Sequence, residues 1–364
     1  MSLFSIRDMD KIRFLIESSK KVIRDCSLEN GAIVAARSDK ADYPKEAKHY
    51  TYVWPRDAAY ICVAAMKAGI KDIQEPFFQW CLERAEGFSE IGLFYEKYYV
   101  NGLKAQARFQ VDQTATVIWA VHEFCRGDEA KQRKYKQLVM KAADAISCRW
   151  NGTCFVDVTN DLWEERYTFP DQEENFTYSL AACIRGLICA NEMFPNPDWL
   201  ISADSMRQRL DEHYDPERGH FTRTFGKIHD KRIDASMLGL VFPFEIIPAD
   251  DERMKNTVKA IEEKLNIDGG IHRYEHDEYD GWMYHTLHRK KGAGGWPILN
   301  FWAALYYDSL GDRENFNRHF NWVLEKVDKH LPEQIFDNDI QVSVSPLAWS
   351  HAMFLFCCER KGLL

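Results

Sequence analysis

The sequence predicts an all-α protein, an (α/α)6 barrel of six helical hairpins with an inner apolar ring and an outer amphipathic ring. Three observations predict it. Amphipathic stretches alternate with stretches that are apolar nearly all round. The alternation runs six times through the chain. The connections alternate too, short after each apolar stretch and long after each amphipathic one.

The amphipathic stretches are 8–24, 71–86, 128–147, 196–211, 250–265 and 312–328. In one of them Met254, Val258, Ile261 and Leu265 fall at i, i+4, i+7 and i+11; in another Phe316, Phe320, Val323 and Val327 repeat the spacing. Their other faces carry Lys, Arg, Glu and Asp, so each has one face in water. The apolar stretches are 57–68, 113–125, 177–192, 234–247, 297–309 and 346–358. A helix apolar on every side is buried on every side. Gly69, Gly127 and Gly311 read as helix stops, and Ser345-Pro346 as N-cap and first residue of the last apolar helix. The long connections are 26–54, 87–111, 148–175, 213–232, 266–295 and 329–345. In a ring of hairpins they all open on one end. Loops longer than about 12–15 residues are usually functional, which places the active site at that end.

No Gly/Ser linker or low-complexity segment interrupts the 364 residues, so residues 1–364 read as a single domain. The 46% hydrophobic content supports a large core. The 47 basic against 56 acidic residues leave a net charge of −9, which argues against nucleic acid and anionic membranes as partners. No run of 18 apolar residues predicts a membrane span. The first residues lack the apolar core of a secretory signal. Ten cysteines, most of them inside apolar runs (Cys62, Cys125, Cys183, Cys189, Cys357, Cys358), behave as small buried hydrophobes and suit a reducing cytoplasm.

Candidate chemistry sits in the long loops. The first ends in Arg56-Asp57, expensive to bury unpaired and able to clamp sugar hydroxyls, or else an ion pair capping the helix. The third holds Glu164 and Glu165 beside Trp163; in a cleft, a carboxyl against an indole loses water and becomes a better general acid, whereas on a surface the pair is only charge. The sixth holds Glu333, a second carboxylate at the same end, and glycoside hydrolysis needs two. The fifth holds His272, Arg273, His276 and, further on, Trp282, His285 and His288. His272 and His276 have the spacing of helical metal ligands, but the preceding Gly269-Gly270 disfavours a helix, so no metal and no cofactor are expected and Arg273 reads as a hydroxyl donor. Loop aromatics, among them Tyr50, Tyr52, Trp54, Trp163, Tyr274 and Trp296, suit the flat apolar faces of sugar rings. No GxGxxG, Walker loop or GxSxG supports a nucleotide or serine-hydrolase reading.

At these residues the chain resembles glycoside hydrolase family 15, the glucoamylases and their relatives. The pieces are YTYVWPRDA at 50–58, QVDQTA at 110–115, DLWEER at 161–166, FTYSLAA at 176–182, HRY at 272–274, GGWPI at 294–298, LPEQ at 331–334 and PLAWSHA at 346–352. The resemblance implies Glu164 as catalytic acid, Glu165 as a contact to the leaving sugar and Glu333 as the base that activates water. It implies that Arg56 and Asp57 bind the outer hydroxyls of the terminal glucose, that Tyr50, Trp54 and Arg273 line the same pocket, and that Trp163 and Trp296 form walls near the cleavage point. The implied activity is inverting, exo-acting release of β-glucose from α-glucans or malto-oligosaccharides. Within the family a trehalase or an α-1,6-glucosidase is the alternative; outside enzymes, a non-catalytic sugar-binding module. The sequence is expected to hold the catalytic domain alone, without the N-terminal β-sandwich or starch-binding module that relatives often carry. The stretch Arg166–Asn175 is longer than the family pattern and is expected to shape the leaving-group side.

Overall fold

The computed structural model describes residues 6–281 and 292–364. Its helices are α1 (Ile6–Cys26), α2 (Pro55–Lys67), α3 (Gln74–Glu83), α4 (Phe88–Ile91), α5 (Val111–Cys125), α6 (Glu129–Cys148), α7 (Thr177–Met193), α8 (Pro197–Asp211), α9 (Glu252–Lys264), α10 (Pro297–Ser309), α11 (Arg313–Lys326) and α12 (Ala348–Arg360). The apolar helices form the inner ring. α2 packs on α5, α5 on α7, α10 on α12, and α12 returns to α2. A 3-10 helix, Ala235–Leu240, bridges α7 and α10. The amphipathic helices lie outside: α1 against α12, α3 against α2, α6 against α5 and α7, α8 against α7, α9 against the 3-10 segment and α11 against α10. Close approach in the inner ring relies on small residues. A Cβ on Gly186 of α7 would stand 3.0 Å from Ala115 of α5.

The sequence expectation needs two corrections. The fourth apolar stretch, 234–247, is not an α-helix but the short 3-10 segment followed by turns. Pro243 removes a backbone donor and clashes with the preceding turn of an α-helix, so the regular spiral cannot run through this stretch. The last inner helix starts at Ala348 rather than Pro346, because the Leu347 N–H is held 2.9 Å from the Leu331 carbonyl of the sixth loop.

All six long loops lie at one end, where backbone hydrogen bonds join each to the next. Val53 pairs with Tyr98, Phe109 with Thr159, Asn175 with Phe225, Asp234 with Tyr274 and Gly295 with Ile335. The Ala348 N–H closes the circle on the Ala35 carbonyl at 2.9 Å. Part of this lacing is a four-stranded sheet of order β1 (Tyr95–Tyr98), β2 (Lys104–Phe109), β3 (Thr159–Asn160), β4 (Tyr167–Thr168). Its hairpin turns at Asn101-Gly102, a sequence suited to tight strand reversal. Gly102 is at φ 96°, and a Cβ there would stand 2.1 Å from the Arg84 carbonyl oxygen.

Side-chain caps occur on the outer helices, at the opposite end: Asp128 on α6, Asn196 on α8, Asp251 on α9 and Asp312 on α11. The inner α-helices begin instead at Trp54, Gln110, Phe176, Trp296 and Leu347, without a side-chain cap. Their N-termini, the positive ends of their dipoles, converge on the laced loops and favour negative charge there.

Candidate active site

Within the loop ring lies a cavity of about 270 Å³. The ten residues to which the family resemblance assigns a role all line it: Tyr50, Trp54, Arg56, Asp57, Trp163, Glu164, Glu165, Arg273, Trp296 and Glu333.

Glu164 sits at the tip of the tight turn between β3 and β4, at φ 63°. Asp161 builds that turn. Its carbonyl accepts the Glu164 N–H at 3.0 Å, and its carboxylate accepts the N–H groups of Glu165 and Arg166 at 2.8 and 3.1 Å. Buried Arg223 anchors the same carboxylate from behind. The Glu164 carboxylate takes the indole N–H of Trp54 on one oxygen and the Lys97 ammonium, 3.1 Å away, on the other. Trp163, expected to desolvate Glu164, points elsewhere: its N–H donates to Asp234 at 3.0 Å, and its ring meets Trp296 edge-on at 5.5 Å. Two donors, the Trp54 N–H and the Lys97 ammonium, therefore meet Glu164, in place of the indole face the sequence suggested.

Glu333 comes from the sixth loop and is buried. Its Oε1 accepts from the Tyr50 hydroxyl at 2.8 Å, and Tyr50 also meets the Tyr279 hydroxyl at 2.8 Å. Its Oε2 is buried without a protein hydrogen-bond partner among the described residues. Burial pushes this carboxyl up to about 7, against the Tyr50 hydrogen bond and the charges of Arg273 and Lys48, which lower it.

Arg56 and Asp57 open α2 at the inner end of the cavity. Arg56 lies 3.1 Å from Asp57, 3.0 Å from Asp112 at the start of α5, and 5.2 Å over the Trp349 ring. Burial raises Asp57 to about 6 even beside Arg56. On another wall, Arg273 bonds both oxygens of Asp277 at 2.8 and 2.7 Å and reaches Glu165 at 2.7 Å. The other Glu165 oxygen takes the Tyr274 hydroxyl. The Arg273 guanidinium lies 4.6–5.3 Å from the rings of Tyr279, Trp296, Tyr274 and Trp163.

A pocket with carboxylates from opposite loops, a buried Arg-Asp pair and aromatic walls is equipped to hold a sugar ring and transfer protons to and from it. The family model for glycosyl hydrolases family 15 matches residues 24–359.

The chain belongs to glycosyl hydrolases family 15.

It is thereby a glycosidase of a carbohydrate-degrading family. An uncharacterized glycosyl hydrolase of Methanocaldococcus jannaschii is 32% identical over 96% of this chain, which spans 56% of that relative. An isomaltose glucohydrolase of Kribbella flavida is 22% identical over 98% of this chain and 95% of its own length. Among solved structures, a glycosidase in complex with glucose superposes with TM-score 0.80 at 22% identity, over 99% of this chain and all of the other. A bacterial glucoamylase complexed with acarbose gives 0.74 at 21% identity, over 95% of this chain and 55% of the other. These likenesses confirm the barrel.

Sequence reasoning missed six lining residues of the family 15 pocket: Lys48, Lys97, Leu162, Tyr279, Leu347 and Trp349. Leu162, Leu347 and Trp349 stood inside the DLWEER and PLAWSHA pieces without a role. Lys97 was not, because it arrives from a hairpin that helical periodicity does not show. Asp112 was quoted within QVDQTA without a role and proves to be a partner of Arg56. The longer stretch after Arg166 forms β4 and a short 3-10 turn, Pro170–Gln172, and leaves Tyr167 and Phe169 exposed. The His272–His276 stretch is not helical. Trp282, His285 and His288 lie outside the described residues. Among the described residues, no helix is long and apolar enough to cross a membrane, and all ten cysteines are free.

Proposed function

We propose that the protein is an inverting, exo-acting glycoside hydrolase releasing β-glucose from the non-reducing end of an α-glucan or malto-oligosaccharide, in a reducing cytoplasm. Glu164 is the general acid that protonates the glycosidic oxygen. Glu333 is the general base that draws a proton from the attacking water. Arg56 and Asp57 hold the outer hydroxyls of the terminal glucose, with Tyr50, Trp54, Trp163, Arg273 and Trp296 around the ring and Glu165 toward the leaving sugar. The carrying observation is that the third and sixth loops bring these two carboxyls into one cavity that the buried Arg56–Asp57 pair also lines. A buried ion pair on the cavity wall suits the outer hydroxyls of a chain terminus.

Inversion rests on the base having room for water. Inverting enzymes hold their carboxyls roughly 6.5–9.5 Å apart, retaining ones about 5–5.5 Å. Here Glu333 is tied to Tyr50 and Glu164 to Trp54, so each carboxyl is held by a different residue of the first loop. The Oε2 of Glu333, without a hydrogen-bond partner among the described residues, is the oxygen suited to accept from water. Proton NMR of the fresh reaction tests this: β-glucose first is the expected outcome, and α-glucose first overturns the assignment of Glu333.

A second reading, cleavage of an α-1,6 linkage, is favoured by the match over 95% of the isomaltose glucohydrolase. Initial rates on maltose, maltotriose, isomaltose and trehalose separate the two. Preference for isomaltose would replace the α-1,4 reading.

A further inference from the structure

Glu164 poses a problem that the proposed function does not solve. A general acid must carry a proton when substrate binds, yet a cation, Lys97, and the Trp54 N–H both contact its carboxyl group. Lys97, however, is shared. Its ammonium lies 3.1 Å from Glu164 and 3.4 Å from Glu96, the preceding residue on β1. Glu96 is fully buried. Asn160 of β3 donates to its Oε2, and the Arg108 guanidinium of β2 stands 3.7 Å from the same oxygen. Its Oε1, the oxygen nearest the Lys97 ammonium, has no hydrogen-bond partner among the described residues. Two carboxyl groups and one ammonium thus lie together, with Lys97 and Glu164 lining the cavity and Glu96 buried behind them.

We propose that Glu96 is a positioning residue which, through the shared Lys97, offsets the lysine's charge and lets Glu164 hold its proton. The inference rests on Glu164 being the acid. The other charged and titratable groups that face Glu164 are Arg56 and Asp57 from the start of α2, Lys48 and Tyr50 from the first loop, Tyr279 from the fifth and Glu333 from the sixth. Neither acid among them, Asp57 or Glu333, pairs with Lys97 among the described residues, whereas Glu96 does. Burial first, and the Glu164 charge second, push Glu96 up to about 7. The two carboxyls therefore oppose each other's ionisation, while Lys97 binds either one. Glu96 does not line the cavity; it reaches the reaction through Glu164, which it meets directly as well as through Lys97.

The test is the alkaline limb of kcat/KM on maltose, which reports the acid in the free enzyme. Lys97→Met removes the cation and should raise that limb by about one pH unit. Glu96→Gln keeps the bond to Asn160, removes the anion and should lower the limb by a similar amount. The double variant should return it close to wild type. If Glu96→Gln alone does not fold, the double variant against Lys97→Met carries the same information. A double variant whose limb matches that of Lys97→Met, or single variants that move the limb the same way, overturn the proposal. Glu164→Gln, assayed on maltose and on 4-nitrophenyl α-glucoside, tests the underlying reading separately. Equal loss on both substrates removes Glu164 as the acid. Greater loss on maltose, with no limb movement in the Glu96 variants, overturns only the role of Glu96.

Discussion

Replacing Glu333 with Gln should make the folded protein more stable as pH rises, while abolishing turnover. The buried carboxyl titrates at about 7 in the folded chain and at its ordinary 4.5 when unfolded. Between those values the folded state binds more protons than the unfolded state, so this group makes stability fall with rising pH. The loss begins near pH 4.5 and is complete above about pH 7. Each pH unit corresponds to about 1.4 kcal/mol, so the difference amounts to about 3 kcal/mol. Gln resembles the protonated acid and does not titrate. The variant should therefore differ from wild type by a constant below pH 4.5 and gain about 3 kcal/mol on that baseline by pH 8. For 364 residues, an unfolding entropy of about 2.1 cal/mol/K per residue converts this to about 4 °C in Tm. Differential scanning fluorimetry of both proteins from pH 4.5 to 8 measures it. A Tm difference that stays flat across that range would refute the claim that burial strains this carboxylate, and with it the raised acidic limb described next.

The Tyr50 hydroxyl is the hydrogen bond that lowers Glu333. Tyr50→Phe should therefore shift the acidic limb of kcat/KM to higher pH; an unmoved limb in a pH–rate profile would exclude that role. Arg56→Ala leaves Asp57 and Asp112 buried without their cation. It should cost about 3–5 kcal/mol in transition-state stabilisation, read as kcat/KM on the folded enzyme. A loss of only a few-fold would make the pair a structural tie for α2 and α5.

Much of the barrel was legible because helix burial is written in periodicity. α9 places Met254, Val258 and Ile261 on one buried face, while α10 is buried from Pro297 to Tyr306. The site motifs were legible because they cluster at loop ends, where inner helices start. Other features were hidden for local reasons. Residues 234–247 are as apolar as a helix, and Pro243 was the overlooked sign that the spiral fails there. The β1–β2 hairpin is short and half polar, so only Asn101-Gly102 marked it. Glu96 and Lys97, adjacent charged residues in that hairpin, gave no sign of lying beside Glu164.

The sequence by itself determined the layers, the end of the barrel that carries the loops, and which carboxylates and aromatics to watch. Those properties depend on the spacing of residue types along the chain, which periodicity reports directly. Only the tertiary structure decided what each carboxylate meets: Trp54 and Lys97 for Glu164, Tyr50 for Glu333, Asp112 as well as Asp57 for Arg56. Those partners come from different loops, brought together by ring closure. A carboxyl's charge depends on its burial and on such neighbours, which are distant in the chain and close only once the ring has closed.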